Sequence, residues 1–246
     1  MTSVPLSRDI VQIWYALTES ITDSALLAAY RQLMSADERL REKRFRFEKD
    51  RHTYVVTRAL IRTVLSKYSS TDPGDWQFEE NRYGRPELSR KSNAPLIRFN
   101  LSHTSGVVAC IVALERDVGI DVEDITRRTE TIELADRFFS LEEAAALRGL
   151  RREDQTERFF SYWTLKESYI KAIGTGLSMP LDSFSFHLEQ GYPIRISFAP
   201  EISDDPATWQ FAQFRLNSHH ILAASIRRGR EPDLRVELQR TVPLAD

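Results

Sequence analysis

One order of elements occurs twice along this chain: a strand, two helices, then more strands, over about residues 10–114 and again over about 118–226. The first half opens on Ile10-Val11-Gln12-Ile13-Trp14-Tyr15-Ala16-Leu17, whose β-branched and aromatic residues predict a strand. A helical pattern covers 23–34, and a basic region at 38–62 ends in a second helix. After a turn-rich break at 69–75 come a short strand at 76–80, a strand from Ile97 and a wholly apolar strand at 107–114. The second half starts on the strand Gly119-Ile120-Asp121-Val122-Glu123. Ser140 then opens a helix, with Glu143 closing a capping box. A long helix covers 158–174, followed by strands at 182–188, 193–198, 209–216 and 221–226. The tail from Arg227 is polar, holds two prolines and is expected to be a loose end. The repetition predicts an α+β protein of two pseudo-equivalent α/β halves, 1–115 and 116–246. The cleft between such halves is the natural place for a ligand.

At 246 residues the chain can bury a substantial core, and 41% hydrophobic with 28% charged residues excludes wholesale disorder. A net charge of −2 gives no global attraction to nucleic acid or to a membrane surface, so any anion site must be local. The single cysteine, Cys110, excludes an intramolecular disulfide and fits a reducing cytoplasm. It sits in the apolar run 107–112, the setting of a buried structural thiol. No run approaches the ~20 apolar residues of a membrane span. The apolar run at 10–17 lacks a small-residue cleavage site, so it is not a signal peptide. A cytoplasmic monomer is expected.

The helix at 158–174 carries the most informative conflict. Phe159, Trp163, Ile170 and Ile173 fall on one stripe at 100° per residue, and Lys166 lands in its middle. A lysine there needs a carboxylate, a phosphate or a route to water, because an unpaired buried charge is very costly. Glu167 and Lys171 lie one turn apart beside the stripe, and Gly174 stops the helix. Upstream, alternation puts Asp121 and Glu123 on one face of their strand. Two carboxylates from a strand and a third from a helix would suit a hard divalent cation such as magnesium.

The first half supplies candidate anion groups. Residues 38–62 hold nine lysines and arginines against four acids, and Arg51, Arg58 and Arg62 share a helix face. That face is either a solvated side or a phosphate-binding rim, since guanidinium suits phosphate geometry. Gly84-Arg85-Pro86 would project Arg85 from a fixed loop. Ser102-His103 is not a hydrolase nucleophile and base: adjacent side chains on extended backbone point apart, and no G-x-S-x-G elbow precedes them. Donation of both groups to one anion, or a capped loop, is the better reading. His187, His219 and His220 have no ligand-like spacing.

With these residues in hand, the chain closely resembles the long, Sfp-type class of 4′-phosphopantetheinyl transferases. The resemblance rests on Gly84-Arg85-Pro86, on Asn100-Leu101-Ser102-His103 and on Gly119-Ile120-Asp121-Val122-Glu123. It rests also on Trp163-Thr164-Leu165-Lys166-Glu167 with Lys171, on Arg137-Phe138-Phe139-Ser140 and on the continuation 176–182. The matches run in order from about residue 38 to 188, and the Asp-x-Glu strand with the Lys-Glu helix is the specific pair.

What the resemblance implies is magnesium-dependent transfer of 4′-phosphopantetheine from coenzyme A to a serine of an acyl or peptidyl carrier protein, releasing 3′,5′-ADP. By the family's pattern Asp121, Glu123 and Glu167 hold the metal, and Ser102, His103 and Lys171 contact the pyrophosphate. Lys166 is counted with the coenzyme-binding groups. Arg85 stands where many relatives have lysine. The 3′-phosphate falls to Arg39, Arg41 or Arg51, because this chain has His52-Thr53 where many relatives have His-Arg. Glu167, Lys171 and His103 are the expected catalytic residues, with Glu167 or a metal-held water as general base. The carrier is expected to dock on an apolar ledge near Phe138, Phe139 and the following helix. The first half would then bind coenzyme A phosphates, and the second the metal and the carrier. A magnesium-dependent phosphohydrolase using the same carboxylates, and a non-catalytic coenzyme A or carrier-binding module, are the competing readings.

Overall fold

The apolar runs of the first half form a sheet covered by helices. The computed structural model describes residues 6–89, 96–127, 131–174, 176 and 179–245. Two compact units divide the chain: Met1–Glu115 together with Arg235–Asp246, and Arg116–Leu234.

The first unit runs β1 (Ile10–Leu17), α1 (Ser24–Leu33), α2 (Ala36–Glu42), α3 (Glu48–Ser66), a hairpin of β2 (Phe78–Glu80) and β3 (Pro86–Leu88), then β4 (Ile97–Thr104) and β5 (Val107–Leu114). Asp23 caps α1 by accepting from the N–H groups of Ala25 and Leu26. The basic region holds two helices rather than one, because Ser35 and Glu38 form a capping box that starts α2 separately. β5 is the spine of the sheet, antiparallel to β1 through Trp14↔Cys110 and to β4 through Leu101↔Cys110. Val56, Leu60 and Val64 of α3 join Trp14, Val108, Cys110 and Val112 in one buried core. Each such aliphatic side chain contributes roughly 1.5–3 kcal/mol. Cys110 is free and buried, and burial pushes its thiol up, as expected of a structural thiol.

The second unit repeats the order: β6 (Val118–Asp124), α4 (Thr131–Phe138), α5 (Leu141–Arg148), α6 (Arg152–Ile173), a hairpin of β7 (Phe184–His187) and β8 (Arg195–Phe198), then β9 (Trp209–Arg215) and β10 (His220–Arg227). Its sheet order β6-β10-β9 matches β1-β5-β4, with all pairings antiparallel. The expected pseudo-repeat is thus present element by element, with three α-helices instead of two among the described residues of each unit. The extra helix here, α4, precedes the predicted capping box, which forms as Ser140 and Glu143 exchange backbone bonds. No helix among the described residues is long and apolar enough to cross a membrane.

The tail departs from expectation. From Arg235 on it is neither a loose end nor part of the second unit. β11 (Arg235–Arg240) pairs parallel to β1, with Ile10↔Arg235 and Ile13↔Leu238 in register. β1 has two edges and β5 fills only one; β11 supplies partners for the backbone groups of the other. Beyond it, the Thr241 N–H donates to the Tyr15 carbonyl, and the buried Tyr30 hydroxyl donates to the Pro243 carbonyl at 2.7 Å. A chain ending at Leu234 should therefore lose about 3 kcal/mol or more, at ~0.5–1.5 kcal/mol net per hydrogen bond. Thermal unfolding of the truncated protein checks this; a melting temperature equal to that of the full chain contradicts it.

Candidate active site

The second unit's site begins with a close approach. A Cβ placed on Gly119 would lie 2.0 Å from the Ser168 carbonyl oxygen and 2.4 Å from the Ala172 nitrogen, both backbone atoms of α6. Only glycine lets β6 and α6 meet here. The contact is closed beneath by Ser168 Oγ and Ser225 Oγ at 2.7 Å, both residues fully buried. Gly174, at φ +70°, ends α6 with its N–H on the Ile170 carbonyl.

This packing brings α6 side chains to the carboxylates of β6. Lys171 Nζ lies 2.6 Å from Asp121 Oδ1, with Asp121 buried. Arg127 Nη1 lies 3.5 Å from Glu123 Oε2. Burial pushes Glu123 up to about 7, with Asp121 and Glu167 adding to the rise and Arg127 and Lys171 opposing it. Glu167 is pushed up by burial and by Asp121, against Lys171. The three carboxylates predicted as metal ligands therefore act on one another electrostatically. Their oxygens suit a hard divalent ion in kind and in charge. Among the described residues, however, no three His, Cys, Asp or Glu side chains are already gathered as a ligand set.

Lys166 requires correction. It is not available to a coenzyme phosphate, being fully buried. Its Nζ lies 2.7 Å from Glu143 Oε2 and donates to the carbonyls of Leu181 and Phe184, each at 2.6 Å. Those three acceptors use all the ammonium's protons. Burial pulls its pKa down, and Glu143 opposes that. Glu143 also accepts from the Ser140 and Phe186 N–H groups. Within the continuation 176–182, Leu177 and Ser178 lie outside the described residues.

The first unit holds a cavity of about 890 Å³ in which Arg41, Lys49, Arg58, His52 and His103 stand among Glu19, Glu48 and Asp50. β4 alternation exposes His103 and buries Ser102, so the two neighbours do not converge on this cavity as expected of a shared anion contact. Of the three arginines considered for the 3′-phosphate, Arg41 lines the cavity, and its Nη1 lies 3.3 Å from Glu80. Arg39 and Arg51 border a separate hollow of about 640 Å³ with Arg31 and Lys43. Arg85 is half-buried, with its N–H on Asn81 Oδ1 and Nη2 donating to the Phe99 carbonyl at 3.3 Å. Arg62 is not part of a phosphate rim. It is buried and donates to the carbonyls of Pro73, Gly74 and Trp76 and to Glu38. Arg58 keeps a face on the cavity while stacking over Tyr54 at 5.2 Å. Sequence spacing does not single out Lys49, which also lines this cavity. Its signal, one helical turn before Thr53 on the helix carrying His52, is too common to select it.

Comparison with known proteins gives the family. Residues 117–224 match the 4'-phosphopantetheinyl transferase superfamily, and residues 21–115 match the N-terminal region of 4'-phosphopantetheinyl transferases. The 4'-phosphopantetheinyl transferase HetI of Nostoc is 34% identical over 80% of this chain and 82% of its own length. The 4'-phosphopantetheinyl transferase Sfp of Bacillus subtilis is 34% identical over 68% of this chain and 72% of its own. Among solved structures, the holo-[acyl-carrier-protein] synthase of Thermotoga maritima covers 48% of this chain and 66% of its own, with 22% identity and a TM-score of 0.38, too low to bear on the fold. The chain belongs to the 4'-phosphopantetheinyl transferase superfamily, as a two-unit enzyme of the Sfp type.

Two measurements follow from the charges. Glu123 binds its proton more tightly folded, at about 7, than its ordinary 4.5. Between those values the folded state holds more protons than the unfolded one, so metal-free stability falls as pH rises. Melting temperatures of the metal-free protein should drop across that window, and Glu123→Gln should flatten the drop; an unchanged slope in the variant contradicts it. Separately, Glu143→Ala strands the Lys166 ammonium in the core and should cost about 3–5 kcal/mol. Lys166→Met should cost less, because Glu143 keeps its backbone donors. Urea unfolding of the two variants checks the order.

Proposed function

We propose that the chain transfers 4′-phosphopantetheine from coenzyme A to a serine hydroxyl of a carrier protein, with Mg2+ held by Asp121, Glu123 and Glu167. The supporting observation is the set of three mutually acting carboxylates from β6 and α6, with Lys171 on Asp121. Bound there, magnesium would offset phosphate charge and orient an in-line displacement.

The chain's own groups supply the rest. The serine oxygen bonds to the phosphorus nearer the pantetheine arm while the bond to the bridging oxygen breaks, and 3′,5′-ADP leaves with that electron pair. Lys171, His103, Arg41 and Arg58 are assigned to the phosphates, where each charge-assisted hydrogen bond contributes ~1.5–3 kcal/mol. The serine proton passes to Glu167 or to a water, a carboxylate that holds the cation being the weaker base. Arg85, with Nη2 on the Phe99 carbonyl, is assigned to the same set by its place in the Gly84-Arg85-Pro86 loop.

For carrier docking the surface to consider is Leu141, which is 92% exposed at the start of α5. Phe139 is not part of such a ledge: it stacks on Phe159 in the core at 5.1 Å. Phe138 packs edge-on against Trp163, with the Arg137 guanidinium 5.2 Å over its ring, so a cation stands beside the apolar step. An acidic helical carrier fits a surface of that kind.

Intact-mass analysis of a panel of apo carrier domains, incubated with coenzyme A and Mg2+, tests the assignment. One or more carriers should gain the mass of phosphopantetheine. Asp121→Ala should abolish that gain while keeping its circular dichroism; normal turnover by this variant removes Asp121 from the site.

A further inference from the structure

The carboxylates of β6 already have cationic partners from their own unit. Asp121 Oδ1 lies 2.6 Å from Lys171 Nζ, and Glu123 Oε2 lies 3.5 Å from Arg127 Nη1. Glu167 is the third carboxylate, and Lys171 acts on it as well. Among the described residues, these two cations against three carboxylates leave a net charge of about −1. A divalent ion added with both partners in place would reverse the sign of the cluster and sit beside like charges on shared oxygens. Ion binding and these two pairs therefore compete for the same acceptors.

We propose that Lys171 and Arg127 are internal counter-ions of the carboxylate cluster, which a divalent cation displaces from Asp121 and Glu123. This rests on the assignment of those carboxylates as the cation site. It adds a role for Arg127, a residue outside the recognised motifs, and it accounts for the absence of a ready-gathered ligand set among the described residues. Both cations have somewhere to go. Arg127 is half-exposed, and its guanidinium also lies 5.6 Å over the Phe160 ring, which remains as a dock when Glu123 is taken. Lys171 is 28% exposed, so its ammonium can exchange Asp121 for a phosphate oxygen. The cation would thus release the lysine that the phosphate needs, and the two ligands would favour each other's binding.

The turn carrying Arg127 is held independently of its side chain. The Arg127 N–H donates to the Asp124 carbonyl, and the Thr126 hydroxyl and N–H both donate to Asp124 Oδ1. Replacing the guanidinium should leave that backbone in place.

The experiment is a calorimetric titration of the full-length chain with Mn2+, without coenzyme A, at a pH where the carboxylates are ionised. Arg127→Gln should bind Mn2+ about five- to tenfold more tightly than the unsubstituted protein, and Lys171→Gln should tighten it similarly. Arg127→Lys, which keeps the charge, should return the affinity toward that of the unsubstituted protein. Equal or weaker binding by both glutamine variants overturns the counter-ion role while leaving the cation site standing. No Mn2+ uptake by any of the four proteins overturns the cation assignment itself, and the counter-ion role with it.

Discussion

At residue 119 the backbone of a strand and the backbone of a helix come so close that a methyl group has no room. Everything chemical in the second unit depends on that contact. With α6 seated on β6, Lys171 reaches Asp121, and Glu167 comes within electrostatic range of the strand carboxylates. A larger residue would force the two backbones apart, and the charges would separate with them. Position on a helix does not by itself bring two elements together; the missing side chain does.

Behind this face the buried pair of Lys166 and Glu143 ties four segments together. Glu143 ends on the cap of α5 and on the Phe186 N–H of β7, while Lys166 reaches the Leu181 and Phe184 carbonyls from α6. Burying two charges gains little net stability, and apolar residues often do as well. What the pair supplies is a defined rotation for α6, since turning the helix would break all of its bonds. That rotation sets the direction of Glu167 and Lys171. The ion pair is thus tied to the chemistry through helix geometry and never touches a phosphate.

The two units share a plan and put it to different use. Their long helices, α3 and α6, occupy the same place in the element order. α3 carries Lys49, His52 and Arg58 into a cavity that Glu48 and Asp50 also line, whereas α6 presents Glu167 and Lys171 to acidic β6. The two copies of one architecture thus carry different charged groups on their long helices. Each unit keeps its own core, so the charges of either face can differ without altering the sheet beneath.

Local features were legible in the sequence because their physics is local. Alternation fixed Asp121 and Glu123 on one strand face, the Ser140–Glu143 box marked a helix start, and Gly174 marked a helix end. The twofold element order was legible for the same reason. Spacing put Lys166 inside the apolar stripe and Lys171 beside it but could not name the partner of either, nor distinguish Arg62 from Arg58 on another helix. The partner across the packing interface decides each case: Glu143 closes over one lysine and Asp121 meets the other, while loop carbonyls enclose Arg62. The tail was misread because a short strand with charged ends gains its stability from the β1 edge it covers, and that edge lies more than 200 residues away along the chain. Periodicity determines which face of an element is apolar; only the folded chain determines what stands opposite, because pairing energies belong to residues distant in sequence.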